Sequence, residues 1–214
     1  MVWAPNFAYG VGLMASDGNL SSDGRHLAFV SKDLEQVEHL RQCFDITANV
    51  SKTRQVILGT ERFYYRLQWG DIRLYAFLLD IGLTPKKSLT LGSLKIPDEF
   101  FFDFLRGSFD GDGCFYSYFD PRWKNSFMFY LDFVSASERH ALWLRSTIER
   151  LLGIQGHMTR NRAGTFFHVR YAKKDSLGIL AVLYEKQSTL FLSRKKLKIE
   201  TALRIVGKSL PQGI

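Results

Sequence analysis

Two Asp-Gly pairs, Asp17-Gly18 and Asp112-Gly113, stand 95 positions apart. Each follows an apolar stretch with small residues four apart: Gly12 with Ser16, and Gly107 with Gly111. That spacing places the small residues on one face of a helix. A glycine inside a helix costs about 1 kcal/mol relative to Ala, so Gly12, Gly107 and Gly111 imply that two helix backbones come close together. The sequence therefore predicts that the two motif helices pack on each other, one from each half, with Gly18 and Gly113 as left-handed caps. A carboxylate at such a helix end meets the partial negative charge of the C-terminus, a penalty of ~0.3–1 kcal/mol. A cation would remove the conflict. Asp17 and Asp112, with the carbonyls at Ser16 and Gly111, make an all-oxygen set suited to Mg²⁺ shared with a substrate phosphate. An isolated Asp-Gly would as readily be a hairpin turn; its recurrence behind two small-residue apolar helices favours the metal reading. A calcium loop does not fit, because Phe115 stands where its glycine belongs and Pro121 where its glutamate belongs. The five histidines show no metal-ligand spacing, and no Walker loop is present.

These acids need elements to hold them, and the chain supplies them twice. Phe29-Val-Ser31 returns as Phe133-Val-Ser135, Tyr65-Arg-Leu67 as Val169-Arg-Tyr171, and Pro85-Lys-Lys87 as Ser193-Arg-Lys195, always in the same order. A duplication is the economical explanation, with repeats at 1–96 and 97–214. Each repeat reads helix, hairpin, helix, hairpin, helix. Helices are expected at 7–17, 33–44, 71–81, 99–112, 138–152 and 174–185, with Asp33 and Asp98 as N-caps. Between Arg62 and Trp69 the chain alternates strictly: Phe63, Tyr65, Leu67 and Trp69 form an inward row, and Arg62, Tyr64, Arg66 and Gln68 an outward one. Phe127, Phe129, Leu131 and Phe133 form another inward row. Phe167, Val169 and Tyr171 oppose His168 and Arg170, and Ile46, Ala48 and Val50 alternate with Thr47, Asn49 and Ser51. The fold class is α+β. A polar strand face is commonly only solvated, but Arg, Tyr, Gln and His are the types that bond base edges and phosphates. Asn19, Ser21, Lys32 and Tyr116 join them as nucleic-acid contacts.

Charge agrees with an anionic partner. The 214 residues include 29 Lys or Arg and 21 Asp or Glu, a net charge of +8, and the excess lies wholly in 108–214. Cys43 and Cys114 form neither a C-x-x-C pair nor a disulfide framework, and no segment approaches the ~18 apolar residues of a membrane span. A soluble intracellular protein with no membrane partner is expected; an organelle and a prokaryotic cytoplasm fit equally.

The paired motifs, their spacing and the repeat resemble the monomeric, two-repeat LAGLIDADG homing endonucleases over essentially the whole chain. The second motif, Leu105-Arg-Gly-Ser-Phe-Asp-Gly-Asp-Gly113, matches well; the first, Gly10-Val-Gly-Leu-Met-Ala-Ser-Asp-Gly18, is looser but keeps the inner Gly, the final Asp and the closing Gly. The resemblance implies two pseudo-symmetric αββαββα repeats with the motif helices at the interface and two antiparallel, saddle-shaped DNA-binding sheets. It implies site-specific hydrolysis of one phosphodiester per strand of double-stranded DNA by a monomer. Asp17 and Asp112 would bind metal, and Lys87 and Lys195 would lie near the scissile phosphates; taken alone, these lysines read equally well as solvated charge. Mg²⁺ is the expected cofactor, with Mn²⁺ substituting and Ca²⁺ supporting binding without cleavage. The alternative is a non-cleaving binder of the same fold, either an intron-splicing maturase acting on its own intron RNA or a DNA-binding regulator.

Overall fold

A computed structural model of the chain describes residues 1–57, 60–185 and 190–211. Among these, seven helices and two four-stranded antiparallel sheets make an α+β fold. The chain forms two compact units, one of 1–87 with 94–111, the other of 88–93 with the residues from Asp112 onward. No described helix is long and apolar enough to cross a membrane.

In the first unit the order is α1 (Pro5–Ser16), β1 (Gly18–Leu20), β2 (His26–Ser31), α2 (Leu34–Cys43), β3 (Ser51–Ile57), β4 (Thr60–Gly70), α3 (Ile72–Asp80) and α4 (Phe101–Gly111). The sheet runs β1-β2-β4-β3. Leu27, Phe29 and Leu67 on its inner face are fully buried, as are Val37 and Leu40 of α2 and Leu78 of α3. Burying each such side chain contributes ~1.5–3 kcal/mol. Pro5 opens α1, where its fixed φ suits the first turn and its missing N–H costs nothing. The second unit holds β5 (Cys114–Phe119), β6 (Phe127–Ser135), α5 (Glu138–Leu152), β7 (His157–Arg160), β8 (Phe167–Tyr171), α6 (Lys173–Leu183) and α7 (Ser193–Ile205), with the matching sheet order β5-β6-β8-β7. The row Phe127, Phe129, Leu131 and Phe133 is buried, against Leu144 and Ile148 of α5 and Ile179 and Leu183 of α6 within the same core.

The two motif helices, α1 and α4, pack within the first unit, and their glycines are why they can. The Cβ of an alanine at Gly12 would lie 2.1 Å from the Phe104 carbonyl oxygen, and one at Gly107 would lie 2.0 Å from that of Tyr9. Neither backbone can yield to such a contact. Compactness therefore groups α4 with the repeat that precedes it in sequence.

Several expectations are corrected. Residues 46–50 are irregular, and the strand starts at Ser51. Phe63 is 43% exposed, because the outer end of β4 is open on both faces. Asp98 opens a 3₁₀ turn after Pro97, and the side chain of Asp33 makes no cap bond; Asp71 is the capping carboxylate, accepting from the Leu74 N–H at 2.9 Å. Gly18 and Gly113 are not among the residues of positive φ. Gly18 instead enters β1 so tightly that a Cβ would lie 2.6 Å from the Met14 Cα. Helix α7 was not expected at all.

Candidate nucleic-acid interface and acidic motif ends

In the first unit, α1 ends with its last turn intact: the Asp17 N–H donates to Leu13 O at 3.0 Å, and the Asp17 side chain is exposed. Ser16 Oγ donates back to Leu13 O at 3.0 Å. A Cβ at Gly111 would fall 1.9 Å from Ser16 Oγ and 3.2 Å from Asp17 Oδ2. The structure thus brings Ser16, Asp17 and Gly111 together, and the missing side chain at 111 is what lets Ser16 come this close beside the carboxylate. Lys87 enters the same corner. Its ammonium donates to Gly18 O and, at 3.4 Å, to Ser16 O, and the residue is only 6% exposed. The positive charge expected at this helix end is therefore supplied in part by the chain itself, which satisfies carbonyls that the helix leaves open.

The second unit repeats the arrangement with a different support. Asp112 is exposed, and Lys195 in the first turn of α7 donates from Nζ to Gly113 O at 2.7 Å while 9% exposed. In each unit a buried lysine bonds the carbonyl of the glycine that follows the motif acid. In one the lysine arrives on a 3₁₀ turn (Lys87–Leu89), in the other on a 13-residue helix.

The donors around Asp17 are oxygens, namely carboxylate, hydroxyl and carbonyl, which suit a hard divalent cation. No group of three or more His, Cys, Asp or Glu that could hold a metal occurs among the described residues. An ion here would have to complete its shell with water and phosphate, as Mg²⁺ commonly does. The residues present fit the cation in that form.

The open face of the first sheet carries Asn19, Arg66 and Gln68, all exposed, with Arg62 at the exposed end of β4 and Tyr64 half-buried. Arg66 donates to Gln68 at 2.8 Å, and the Lys32 ammonium lies 5.7 Å from the Tyr64 ring centroid. Ser21 lies outside the strand, in the β1–β2 turn, where its carbonyl accepts from the Tyr75 hydroxyl. On the second sheet Tyr116 stacks on Tyr130 at 5.1 Å, and His168 and Arg170 both bond Asp132. Burial pushes the Tyr116 hydroxyl pKa up from its ordinary value. Sequence reasoning missed Asp132 and Tyr130, although they occupy the alternate positions of the strand whose inward row it had found.

Strand pairing also corrects the repeat alignment. Phe29 pairs with Leu67 and Phe133 with Val169. Arg66 therefore corresponds in the ladder to His168, and Gln68 to Arg170, two residues away from the match suggested by Tyr65-Arg-Leu67.

No family model matches this chain, and no curated protein matches it. Solved structures do. It is similar to the homing endonuclease I-WcaI bound to its DNA recognition sequence, with a TM-score of 0.65 and 12% identity over 93% of this chain and 88% of that one. The I-LtrWI LAGLIDADG homing endonuclease bound to target DNA gives 0.62 and 13%, over 94% and 90%. Full-length DUF199/WhiA from Thermatoga maritima gives 0.57 and 16%, over 97% of this chain; the chain spans 62% of that protein. At such identities the likeness shows the fold, and that fold is the two-repeat LAGLIDADG architecture.

Proposed function

We propose that this chain, with its two-repeat LAGLIDADG fold, is a metal-dependent, site-specific endonuclease that cuts one phosphodiester on each strand of a long, asymmetric DNA duplex and works as a monomer. The observation that carries the reading is the duplicated corner: Asp17 with Lys87 on Gly18, and Asp112 with Lys195 on Gly113. Two copies of one acid-and-ammonium arrangement suit two equivalent chemical events, one per strand. Asp17 and Asp112 would hold the cation, with Ser16 and Gly111 lending carbonyl oxygen. When bound, Mg²⁺, or Mn²⁺ in its place, supplies Lewis acidity and lowers the pKa of water. Lys87 and Lys195 keep fixed positive charge beside the acids, where it would oppose the charge that develops on a phosphate. The sheet faces would meet the duplex through Arg62, Arg66, Gln68, His168 and Arg170, by contacts to phosphate that set the register and contacts to base edges that read sequence. A strand of about ten residues covers ~33 Å, about ten base pairs, so two sheets would span about twenty.

The test separates chemistry from binding. A target is first selected from a randomised duplex library, with cleavage assayed with and without Mg²⁺. Asp17→Asn and Asp112→Asn should then each lower supercoiled-plasmid cleavage by more than ~100-fold, beyond what a lost outer-shell contact costs. Gel-shift affinity in Ca²⁺ should change by less than ~3-fold. Normal cleavage by either variant would remove the catalytic assignment.

A second reading draws on the burial of both lysines, since a buried ammonium bonded to backbone can serve as a structural pin without any hydrolysis. The chain would then bind nucleic acid, its own intron RNA included, and the wild-type protein would bind without cutting in Mg²⁺.

A further inference from the structure

We propose that Asp132 is a specificity-positioning residue: from within the second sheet it holds Arg170 and His168 in fixed orientation, so that this half of the molecule discriminates bases at one short stretch of the target. The inference rests on the DNA-binding reading above. Asp132 lies on β6 among the outward positions, between Tyr130 and Val134, yet is only 3% exposed. Its Oδ2 accepts from His168 Nδ1 at 3.0 Å and from Arg170 Nη2 at 3.2 Å. Its Oδ1 and Arg170 Nε are both buried without a partner among the described residues. The Arg170 guanidinium is 5.6 Å from the Tyr116 ring centroid, Tyr116 stacks on Tyr130, and Tyr130 stacks on Tyr118 at 6.2 Å.

A buried carboxylate is costly unless paired, and on a surface meant for phosphates it also repels the ligand. The fold does not require it. The matching ladder position in the first sheet is Ala28, opposite Gln68, where Arg66 and Gln68 bond each other. What the acid adds is fixity. An arginine that bonds phosphate helps to position the protein but carries no sequence information. One clamped by a carboxylate and an aromatic face keeps the rest of its donor fork in a set plane, as bidentate reading of guanine O6 and N7 needs. Arg170 and His168 remain reachable, with side chains 35% and 24% exposed. Donation from His168 Nδ1 leaves Nε2 as the ring atom available to a base.

The experiment is binding of the full chain, in Ca²⁺, to a randomised duplex library, with relative affinity read position by position for wild type, Asp132→Asn, Arg170→Ala, His168→Ala, and the Arg170→Ala/His168→Ala pair with and without Asp132→Asn. Asp132→Asn should lose about tenfold discrimination at the positions where Arg170→Ala or His168→Ala loses it, and at no others. It should bind non-target duplex as well as or better than wild type, and should add nothing in a chain that already carries both Arg170→Ala and His168→Ala. An unchanged profile, or an even loss across the whole site, would overturn the role. Should Asp132→Asn fail to fold, Arg170→Lys, which keeps the charge but not the fork, must flatten the positions that Arg170→Ala flattens; full discrimination in that variant would overturn it equally. A wild-type chain that binds no duplex at all defeats the DNA-binding reading itself. A selective wild type with indifferent variants defeats only the positioning role.

Discussion

Tyr9 is wholly buried on α1, and its hydroxyl donates to Asp110 Oδ2 at 2.8 Å. Burial first, and the Asp110 charge second, push its pKa well above the ordinary tyrosine value. Below about pH 10 the tyrosine is protonated in both folded and unfolded chains, so pH has no leverage there. Above it the unfolded chain sheds the proton and the folded one cannot, so stability falls as pH rises from about 10. Tyr9→Phe should lower stability by ~1–3 kcal/mol at pH 7 by removing a donor from a buried carboxylate, and should abolish its share of the alkaline loss; urea denaturation at pH 7 and pH 10.5 measures both. The lysines give a second residue-level expectation. Lys87→Met and Lys195→Met each orphan a glycine carbonyl, at a cost of ~1–3 kcal/mol. If the ammonium also acts in the reaction, the single-turnover cleavage rate at saturating DNA should drop as well. Unchanged rates in a folded variant would leave the lysines as pins alone.

Among the elements, the glycine-lined contact of α1 with α4 makes the sharpest demand. Gly107→Ala gains ~1 kcal/mol in helix propensity but drives a methyl to 2.0 Å from a backbone oxygen. The clash should win by ~1–3 kcal/mol or more. Gly178→Ala on α6 meets only the Ile154 Cδ1, a flexible tip, at 2.8 Å, and should be near neutral or stabilising. Thermal melting of the pair distinguishes steric need from mere tolerance. This contact was legible in the sequence because small residues four apart have few other reasons to recur behind two acids. The buried row Phe127, Phe129, Leu131 and Phe133 was legible because alternation with a large apolar residue at every second place has one good home. Ile46, Ala48 and Val50 alternate as well and form no strand; period two describes a chain able to pair, and the ladder with β4 begins only at Ser51, opposite Arg66. Register was harder still. A two-residue slip leaves every side chain on its proper face, so matching short segments could not exclude it. Asp132 stayed hidden because one acid in a strand says nothing until the strand beside it is known.

Over the whole molecule, the +8 charge should appear as salt dependence. Duplex affinity should fall steeply between 50 and 200 mM salt. Arg66→Ala should weaken binding at all sequences and reduce the salt slope by about 1 if it meets phosphate, whereas Arg170→Ala should act at particular positions. Light scattering of the complex should show one chain per duplex; an obligate dimer would contradict the monomeric reading. The partition of the chain carries a further consequence for anyone wishing to build hybrids from it. A gene cut at the repeat boundary, after Ile96, would yield a piece whose α1 presents the bare groove at Gly12 to water, a strip made for a neighbour it no longer has. A piece ending at Gly111 brings that neighbour along. Grafting the first unit onto a foreign partner thus means transplanting α1 and α4 together, as a matched lock and key.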